Sequence, residues 1–526
     1  MSSKINRRNF LKNSALMTAG SLFLKDKAGL SFPKIKMNED SRNSIIIDPT
    51  LRFEISPYLY MQFMEPLGTT DASVEAGWDY EKDDWREDLI KAVTDLAPDV
   101  VRWGGNFIRF YKWREGVGPV KDRPWMYNYA WGGKESNRVG TREFSDFCRR
   151  VGAEPLMCVN FMSDGRKRYW NTVHGENRSG DATEAADWVS YANDPDNKER
   201  RNHGAKNPYN IKLWQIGNET SYITDGFKLN EAIKHTIEFA KAMRERDPSI
   251  QLIGWGDDFR HNGDFWAGDM ISRAGEHLNY IAIHMMGMVP VRKKSVLRGF
   301  EYQKDPAQAW DELLEISDVA AQRLEAAKEI VNAQKSDIGI ALTEGHLSID
   351  PHNSNPILQE WLSAVYHART LNNYQRNGDK VKICTGADFC GTRWTVNAVR
   401  MPVPRGDSFL LPVATIMRLF KKYNGKNSVD VTSFPSDLDI VASRTENKMY
   451  LHVLNLNYRE SVTSPFQING MKVKGGKVYE IAPDEPRAYV DRNNCDTFVP
   501  KEKALNVNRW TFPPRSVSVV ELNLET

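Results

Sequence analysis

The sequence predicts an α/β fold: a (β/α)8 barrel carrying a C-terminal β-sandwich. Three observations predict it. Short apolar runs recur between residues 58 and 387, and eight of them have strand length. Amphipathic stretches with helical periodicity lie between most of these runs, which is the signature of βα units and a parallel sheet. After about residue 400 the texture changes to short alternating segments separated by turn residues, as in an all-β sandwich.

In chain order the predicted barrel strands are Tyr58–Met64, Val100–Trp103, Pro155–Asn160, Ile211–Ile216, Gln251–Trp255, Tyr280–His284, Ile338–Thr343 and Lys382–Ala387. Among the predicted helices, Trp85–Leu96 has apolar residues near i, i+4 and i+7, while Phe227–Arg244 and Ile316–Ala333 are longer and periodic. Eight strands with intervening helices fit a barrel. In the last part of the chain Asp439–Ser443, Met449–Leu456 and Ser516–Leu522 alternate like strands, and Ser44–Ile47 has the same character. The expected division is 1–40 signal and linker, 41–57 an N-terminal strand joining the sandwich, 58–400 the barrel, and 401–526 the sandwich.

Composition narrows the function. The chain has 526 residues, long enough for a large barrel plus a smaller domain. It is 40% hydrophobic and 27% charged, with a formal net charge of +2, so nothing points to nucleic acid or an anionic membrane as partner. There are 15 Trp, and most of these rings are expected in the core rather than on sugar faces. The five cysteines are widely spaced with no C-x-x-C pair, which argues against a zinc or iron–sulfur site and for buried free thiols. At the N-terminus Arg7-Arg8-Asn9-Phe10-Leu11-Lys12 precedes an apolar run from Ala15 to Leu24. That pattern looks like a Tat-type signal, so export to the periplasm or outside the cell is expected. The run is too short to span a bilayer, and no other segment is apolar enough.

In a (β/α)8 barrel the active site lies at the C-terminal ends of the strands. The polar residues that end the apolar runs are Glu65, Asn106, Asn160, Asn218-Glu219, His284, Glu344 and Asp388. Glu219 ends Ile211-Lys212-Leu213-Trp214-Gln215-Ile216-Gly217-Asn218-Glu219, where a glycine lets the backbone turn and sets an amide beside a carboxyl. Taken alone, such a pair is as often a helix cap or a surface pair. Glu344 ends Ile338-Gly339-Ile340-Ala341-Leu342-Thr343-Glu344; an unpaired carboxylate there must lie at the mouth, because burying it is costly. A structural ion pair is the alternative. Two glutamates at the ends of strands four and seven suit a retaining glycosidase, whose nucleophile and acid/base stand about 5–5.5 Å apart. The acid/base must start protonated, so the pKa of Glu219 is expected to be raised by Glu344 nearby.

The segment Val101-Arg102-Trp103-Gly104-Gly105-Asn106-Phe107 resembles the R-x-P-G-G-N-F motif of glycoside hydrolase family 51, the α-L-arabinofuranosidases, without its proline. The likeness continues through Tyr111–Val120, Arg123-Pro124, Ala130-Trp131, Glu135-Ser136-Asn137, Gly140–Phe144, Gly152-Ala153-Glu154-Pro155, Val159-Asn160 and His203-Gly204 to Trp214–Glu219. It thins towards the C-terminus. The resemblance implies a (β/α)8 retaining enzyme with a C-terminal β-sandwich. It maps the acid/base onto Glu219, the nucleophile onto Glu344, and sugar-binding roles onto Glu65, Asn106, Trp131, Asn218 and His284. Asn106 could instead fix the Gly-Gly turn, and His284 could be a core histidine with satisfied hydrogen bonds.

Departures fall in the second half of the barrel. Met286 stands where the family has an aromatic residue, Gly345-His346 follows the nucleophile where the family has Trp, Thr220 follows the acid/base, and Asp388 takes the place of a glutamine. The expected activity is an exo-acting α-L-arabinofuranosidase on oligo- or polysaccharides of plant type, with no metal or organic cofactor. The alternatives are a related barrel glycosidase with another sugar (a β-xylosidase, galactofuranosidase or endo-glucanase) and a non-catalytic sugar-binding protein. The second would predict loss of a carboxylate, and both are present. Assembly of like subunits is left open.

Overall fold

The computed structural model describes residues 43–222, 225–258, 265–288, 292–351, 353–506 and 508–525. The twin-arginine stretch lies outside the described residues. Eight strands form one parallel sheet: Met61–Met64, Val100–Trp103, Glu154–Val159, Leu213–Ile216, Gln251–Trp255, Tyr280–His284, Gly339–Glu344 and Val381–Cys384. They follow one another round the sheet in chain order. The ring closes where Cys384 donates its backbone N–H to the carbonyl of Leu59 at 2.8 Å and bridges Tyr60. These strands read as continuous apolar runs because both faces are covered, one by the barrel interior and one by helices.

Each strand leads to a helix on the outside: Glu87–Leu96, Thr141–Val151, Ala182–Asn193, Leu229–Arg246, Ala267–Ala274, Pro306–Ala333, Ala364–Arg376 and Pro412–Lys422. The first illustrates why. Glu87 and Asp88 favour the positive N-terminal end, and Leu89, Ala92, Val93 and Leu96 form one buried stripe. Ala97 then turns into the left-handed region at φ 53° just before Pro98, and the helix stops. Trp85 lies before this helix, in a two-residue strand paired with Trp78.

The eighth helix, Pro412–Lys422, lies beyond the expected barrel limit at residue 400. Between it and the last barrel strand the chain inserts a small sheet of Asp388–Gly391, Asn397–Arg400 and Phe409–Leu410. Among the described residues those short strands pair only with one another, and side-chain contacts tie them to the barrel. Asp71, in the loop after the first strand, accepts from the Trp394 backbone N–H at 2.9 Å and from Asn397 Nδ2 at 2.7 Å.

The sandwich strands begin at Asn427. Nine strands, eight from the C-terminal part and Ile45–Asp48 from the N-terminal part, are joined in one sheet. Ile45–Asp48 runs antiparallel to Asn427–Ser433 and parallel to Val462–Ile468. Leu505 and Phe512, from the strands at the two ends of the order, share one core with Ile45, Ile47, Ile440 and Leu451, so the sheet folds over itself. Aromatic groups fasten this domain to the barrel: Tyr423 stacks on Tyr479 at 3.7 Å, Phe420 on His452 at 4.2 Å, and Trp310 Nε1 donates to the Leu456 carbonyl at 2.7 Å. All five cysteines are free; four are buried, and Cys495 is exposed, contrary to the expectation of burial.

Candidate active site

The site grows from a charge inside the barrel. Arg102, in the middle of the second strand, is fully buried. It donates to Gln215 Oε1 at 2.9 Å, Asn218 Oδ1 at 2.6 Å and Glu344 Oε1 at 3.0 Å. A buried guanidinium is tolerated only when paired in this way. The two glycines that follow are explained by it. A Cβ on Gly104 would come within 2.6 Å of the Arg102 guanidinium, and one on Gly105, at φ +124°, would run into the Glu65 carboxyl. Gly-Gly therefore lets the backbone pass between two polar side chains.

Glu219 sits on a strained turn. Gly217 has φ +74° and Glu219 itself has φ +51°, a region disfavoured for a residue with a Cβ. Asp164 accepts from the Asn218 backbone N–H at 3.2 Å and from Thr220 Oγ1 at 2.9 Å, while Arg109 donates to the Asn218 carbonyl at 3.1 Å and Arg166 to the Glu219 carbonyl at 3.0 Å. The carboxyl of Glu219 accepts from Arg109 Nη2 at 3.3 Å and lies 3.3 Å from His284 Nδ1.

His284 ends the sixth strand. Its ring stands edge-on to Trp255 at 4.7 Å, and its backbone N–H donates to Asp257 Oδ2 at 3.0 Å. The same Nδ1 lies 3.7 Å from Glu344 Oε2, so this imidazole stands between the two glutamates. One carboxylate oxygen of Glu219, one of Glu344 and a His284 ring nitrogen all lie within 4.8 Å of one another. That separation suits a nucleophile and acid/base pair and is too short for the 6.5–9.5 Å of an inverting pair. Three such groups could also hold a cation. However, Arg102 and Arg109 already place a guanidinium on each carboxylate, which opposes a second positive charge there.

The expected upward shift of the Glu219 pKa is not found. Burial does push it up. The hydrogen bond and charge of His284, with Arg109 and Arg166, outweigh burial and hold the carboxyl at about 2. Glu65 behaves oppositely: burial, and then the charge of Glu344, raise it well above the usual carboxylate range. Glu65 Oε1 accepts from the Phe107 backbone N–H at 3.0 Å and from Trp131 Nε1 at 2.8 Å. Trp131 meets Trp394 edge to face at 5.3 Å, giving one wall of the mouth.

The structure brings the other strand-end residues to the same mouth. Asn218 keeps its Nδ2 buried without a hydrogen-bond partner, beside Arg102. Asn106 is half-buried at the turn after the Gly-Gly pair. Asn160 is spent on structure, donating to the carbonyls of Tyr111 and Arg178 at 3.2 and 2.8 Å. Asp388 does not end the eighth barrel strand; it opens the small inserted sheet. There its Oδ1 lies 3.1 Å from His346 Nδ1, poorly aligned for a hydrogen bond. Burial opposes the charge on His346, but Asp388, with Glu344 and Glu219, raises its pKa.

Sequence reasoning missed Arg102, Arg109, Asp164, Arg166 and Trp394. Arg102 carried a signal: a charge in the centre of an apolar strand must be paired with something. Arg109, Asp164 and Arg166 lie in short turns whose partners at the site are 53–110 residues away, and nothing in their local pattern sets them apart.

An eightfold parallel barrel with two glutamates meeting across its mouth at strands four and seven defines a class of glycosidase-type barrels. Within that class, residues 92–299 match the α-L-arabinofuranosidase 1 domain family. The match includes Asn106, Trp131, Asn218, Glu219 and His284 and ends before Glu344. The chain is 32% identical over 243 residues to an intracellular exo-α-(1→5)-L-arabinofuranosidase of Acetivibrio thermocellus, covering 44% of this chain and 45% of that protein. It is 34% identical over 242 residues to a probable α-L-arabinofuranosidase C of Aspergillus flavus, covering 44% and 45%. These matches span about half the length of the curated relatives. In fold it is similar to the α-L-arabinofuranosidase of Thermotoga maritima solved in complex with arabinose, with a TM-score of 0.74 and 24% identity over 91% of this chain and 99% of that one. The resemblance read from Val101–Phe107 onwards therefore holds: the chain is related to glycoside hydrolase family 51, in sequence over the matched part and in fold over most of its length.

Proposed function

We propose that this protein is a retaining, exo-acting α-L-arabinofuranosidase that removes arabinofuranosyl residues from plant-type oligo- and polysaccharides. The observation that carries the reading is the closeness of Glu219 and Glu344, whose oxygens lie within 4.8 Å of each other and of a His284 ring nitrogen. The names of the curated relatives support the glycone.

Glu344, beside Arg102, is the nucleophile that attacks the anomeric carbon. Glu219 protonates the leaving oxygen and then deprotonates the water that releases the sugar. Burial raises the Glu219 carboxyl while the hydrogen bond and charge of His284, with Arg109 and Arg166, lower it; a sugar that covers the carboxyl adds to burial and so favours the protonated form that the first step needs. Asn218 Nδ2, the raised carboxyl of Glu65, the Asn106 amide and the Trp131 ring serve the sugar. His284 holds both carboxyls in register, and Asp388 with His346 borders the same pocket.

A panel of nitrophenyl glycosides that includes furanosides tests the glycone, with the arabinofuranoside expected to be cleaved fastest. Glu219→Ala is expected to lose most activity on poor leaving groups and to regain turnover with azide, giving a glycosyl azide of retained configuration. Glu344→Ala is expected to be inactive on natural substrates, with azide giving the inverted product. The opposite pattern would swap the roles. Export of the protein rests on Arg7-Arg8 and the apolar run alone. Replacing both arginines by lysine should leave the protein in the cytoplasm, and unchanged export on fractionation would end that part of the reading.

A further inference from the structure

The loops after the second and third strands carry aromatic rings that neither the core nor the catalytic pair uses. Among the described residues, five aromatic side chains on the barrel are exposed, and three of them, Trp125, Tyr127 and Trp170, belong to these two loops at 64%, 37% and 37% exposure. Trp125 lies just before and Tyr127 within the short hairpin strand Met126–Tyr127, so both exposed rings flank the buried Met126. Tyr127 and Trp170 are held in place. His174 stacks on Tyr127 at 3.8 Å and Lys134 Nζ lies 4.9 Å from the centre of its ring, while Trp170 Nε1 donates to the Met162 carbonyl at 3.2 Å.

A contact path connects this surface to the backbone of Glu219. Arg166 donates to the Glu219 carbonyl, and its own carbonyl accepts from the Tyr169 backbone N–H at 3.0 Å. Tyr169 packs against Tyr129 at 6.2 Å, Tyr129 against Tyr127 at 6.4 Å, and the Tyr129 hydroxyl donates to Thr172 Oγ1 at 3.1 Å. Trp170 follows Tyr169 directly. Both loops leave the C-terminal ends of their strands, the end of a barrel that carries the mouth. The rings therefore extend from the Glu219 side of the mouth, which is the side of the leaving group.

We propose that Trp125 and Trp170 form an aglycone platform on which at least two sugar residues of the leaving chain stack, with the His174-stacked Tyr127 as part of its support. The inference rests on the reading of Glu219 as acid/base. The exposed indoles of Trp125 and Trp170 leave apolar surface in water, and the C–H faces of a neutral oligosaccharide cover it without a charged partner. The platform selects a chain rather than a single sugar as the leaving group.

The test compares Trp125→Ala/Trp170→Ala with wild type on 4-nitrophenyl α-L-arabinofuranoside, on α-1,5-linked arabinotetraose and on an arabinofuranosyl-substituted xylotetraose. The proposal expects the aryl substrate to be cleaved within twofold of wild type. It expects kcat/KM to fall at least tenfold, mainly through KM, on one of the two chain substrates, and which of them falls identifies the chain. Trp170→Phe keeps the ring without the indole N–H bond and should retain most of the chain preference. An equal change on all three substrates overturns the platform. So does a shift from dimer to monomer in light scattering with unchanged substrate ratios, which would make the surface a contact between copies. A wild-type enzyme inactive on every furanoside overturns the functional reading itself, and the platform with it.

Discussion

Polar side chains at the mouth differ in whether the protein already uses them. Arg102 spends its donors on Gln215, Asn218 and Glu344, whereas the amide of Asn106 has no described protein partner. Asn106→Ala is therefore expected to leave Tm within about 2 °C, as a substitution without partners shifts stability by no more than ~0.5 kcal/mol. It should lower kcat/KM on the arabinofuranoside about 5- to 100-fold, the equivalent of one lost polar contact of ~1–3 kcal/mol. Wild-type kinetics would remove Asn106 from the sugar site. His346 makes a prediction through pH. Its folded pKa is raised by Asp388, Glu344 and Glu219 against burial, while His367 close by is held neutral, its pKa lowered by burial and by His346 to about 3. A raised folded value means that protonated His346 stabilises the fold fully below the ordinary histidine value of ~6.5, and that this contribution is lost as pH rises through the folded value. The Tm difference between wild type and His346→Gln should thus be largest in acid and shrink on the alkaline side. A difference that is constant from acid to alkali would mean that His346 does not titrate against Asp388.

At the scale of single elements, two glycines with the same backbone make a controlled comparison. Gly152 caps the helix Thr141–Val151 at φ +75°, and a Cβ there meets nothing within 4 Å. Gly217 ends the run into the Glu219 turn at φ +74°, and a Cβ there would lie 2.5 Å from Asp164 Oδ1. Both alanine variants carry the left-handed penalty of ~1–2 kcal/mol. Only Gly217→Ala should also push Asp164 off Asn218 and Thr220 and cut kcat at least tenfold, while Gly152→Ala keeps full activity per folded molecule. Equal activities in the two variants would show that the turn is not set by this contact. The same turn shows what was legible in the sequence. Gly217-Asn218-Glu219 stood out because it ends a largely apolar run, and the eight strands stood out because burial on both faces makes them mostly apolar. Asp164 and Arg166 did not, since their partners are fixed by the approach of two loops rather than by spacing. The barrel limit at residue 400 fell short because the inserted strands and the loop up to Phe409–Leu410 separate the last barrel strand from its helix, Pro412–Lys422.

The whole molecule is tied together by segments far apart in the chain. Ile45–Asp48 pairs with strands from the C-terminal part, so neither end of the described chain completes the sandwich alone. The sandwich in turn is held to the eighth barrel helix by Phe420 on His452 and by Tyr423 on Tyr479. His452 is buried at this junction, its Nε2 2.8 Å from the Tyr423 carbonyl, and burial lowers its pKa to about 4. A neutral histidine packed in this way titrates lower when folded than when unfolded. The stability it contributes is present above ~6.5 and is lost as pH falls towards the folded value, at ~1.4 kcal/mol per pH unit. His367, with a folded value of about 3, acts in the same direction inside the barrel. Because the junction joins the two cores, its acid lability belongs to the molecule rather than to one domain. Scanning calorimetry is expected to give one transition at pH 7.5, and a lower Tm at pH 5. His452→Gln can still donate to Tyr423 but has no proton to gain, so its Tm should be lower than wild type at pH 7.5 and fall less between pH 7.5 and pH 5. If the variant loses as many degrees as wild type over that interval, the acid lability comes from elsewhere. If wild type shows two separated transitions at pH 7.5, the barrel and the sandwich unfold independently and the junction does not couple them.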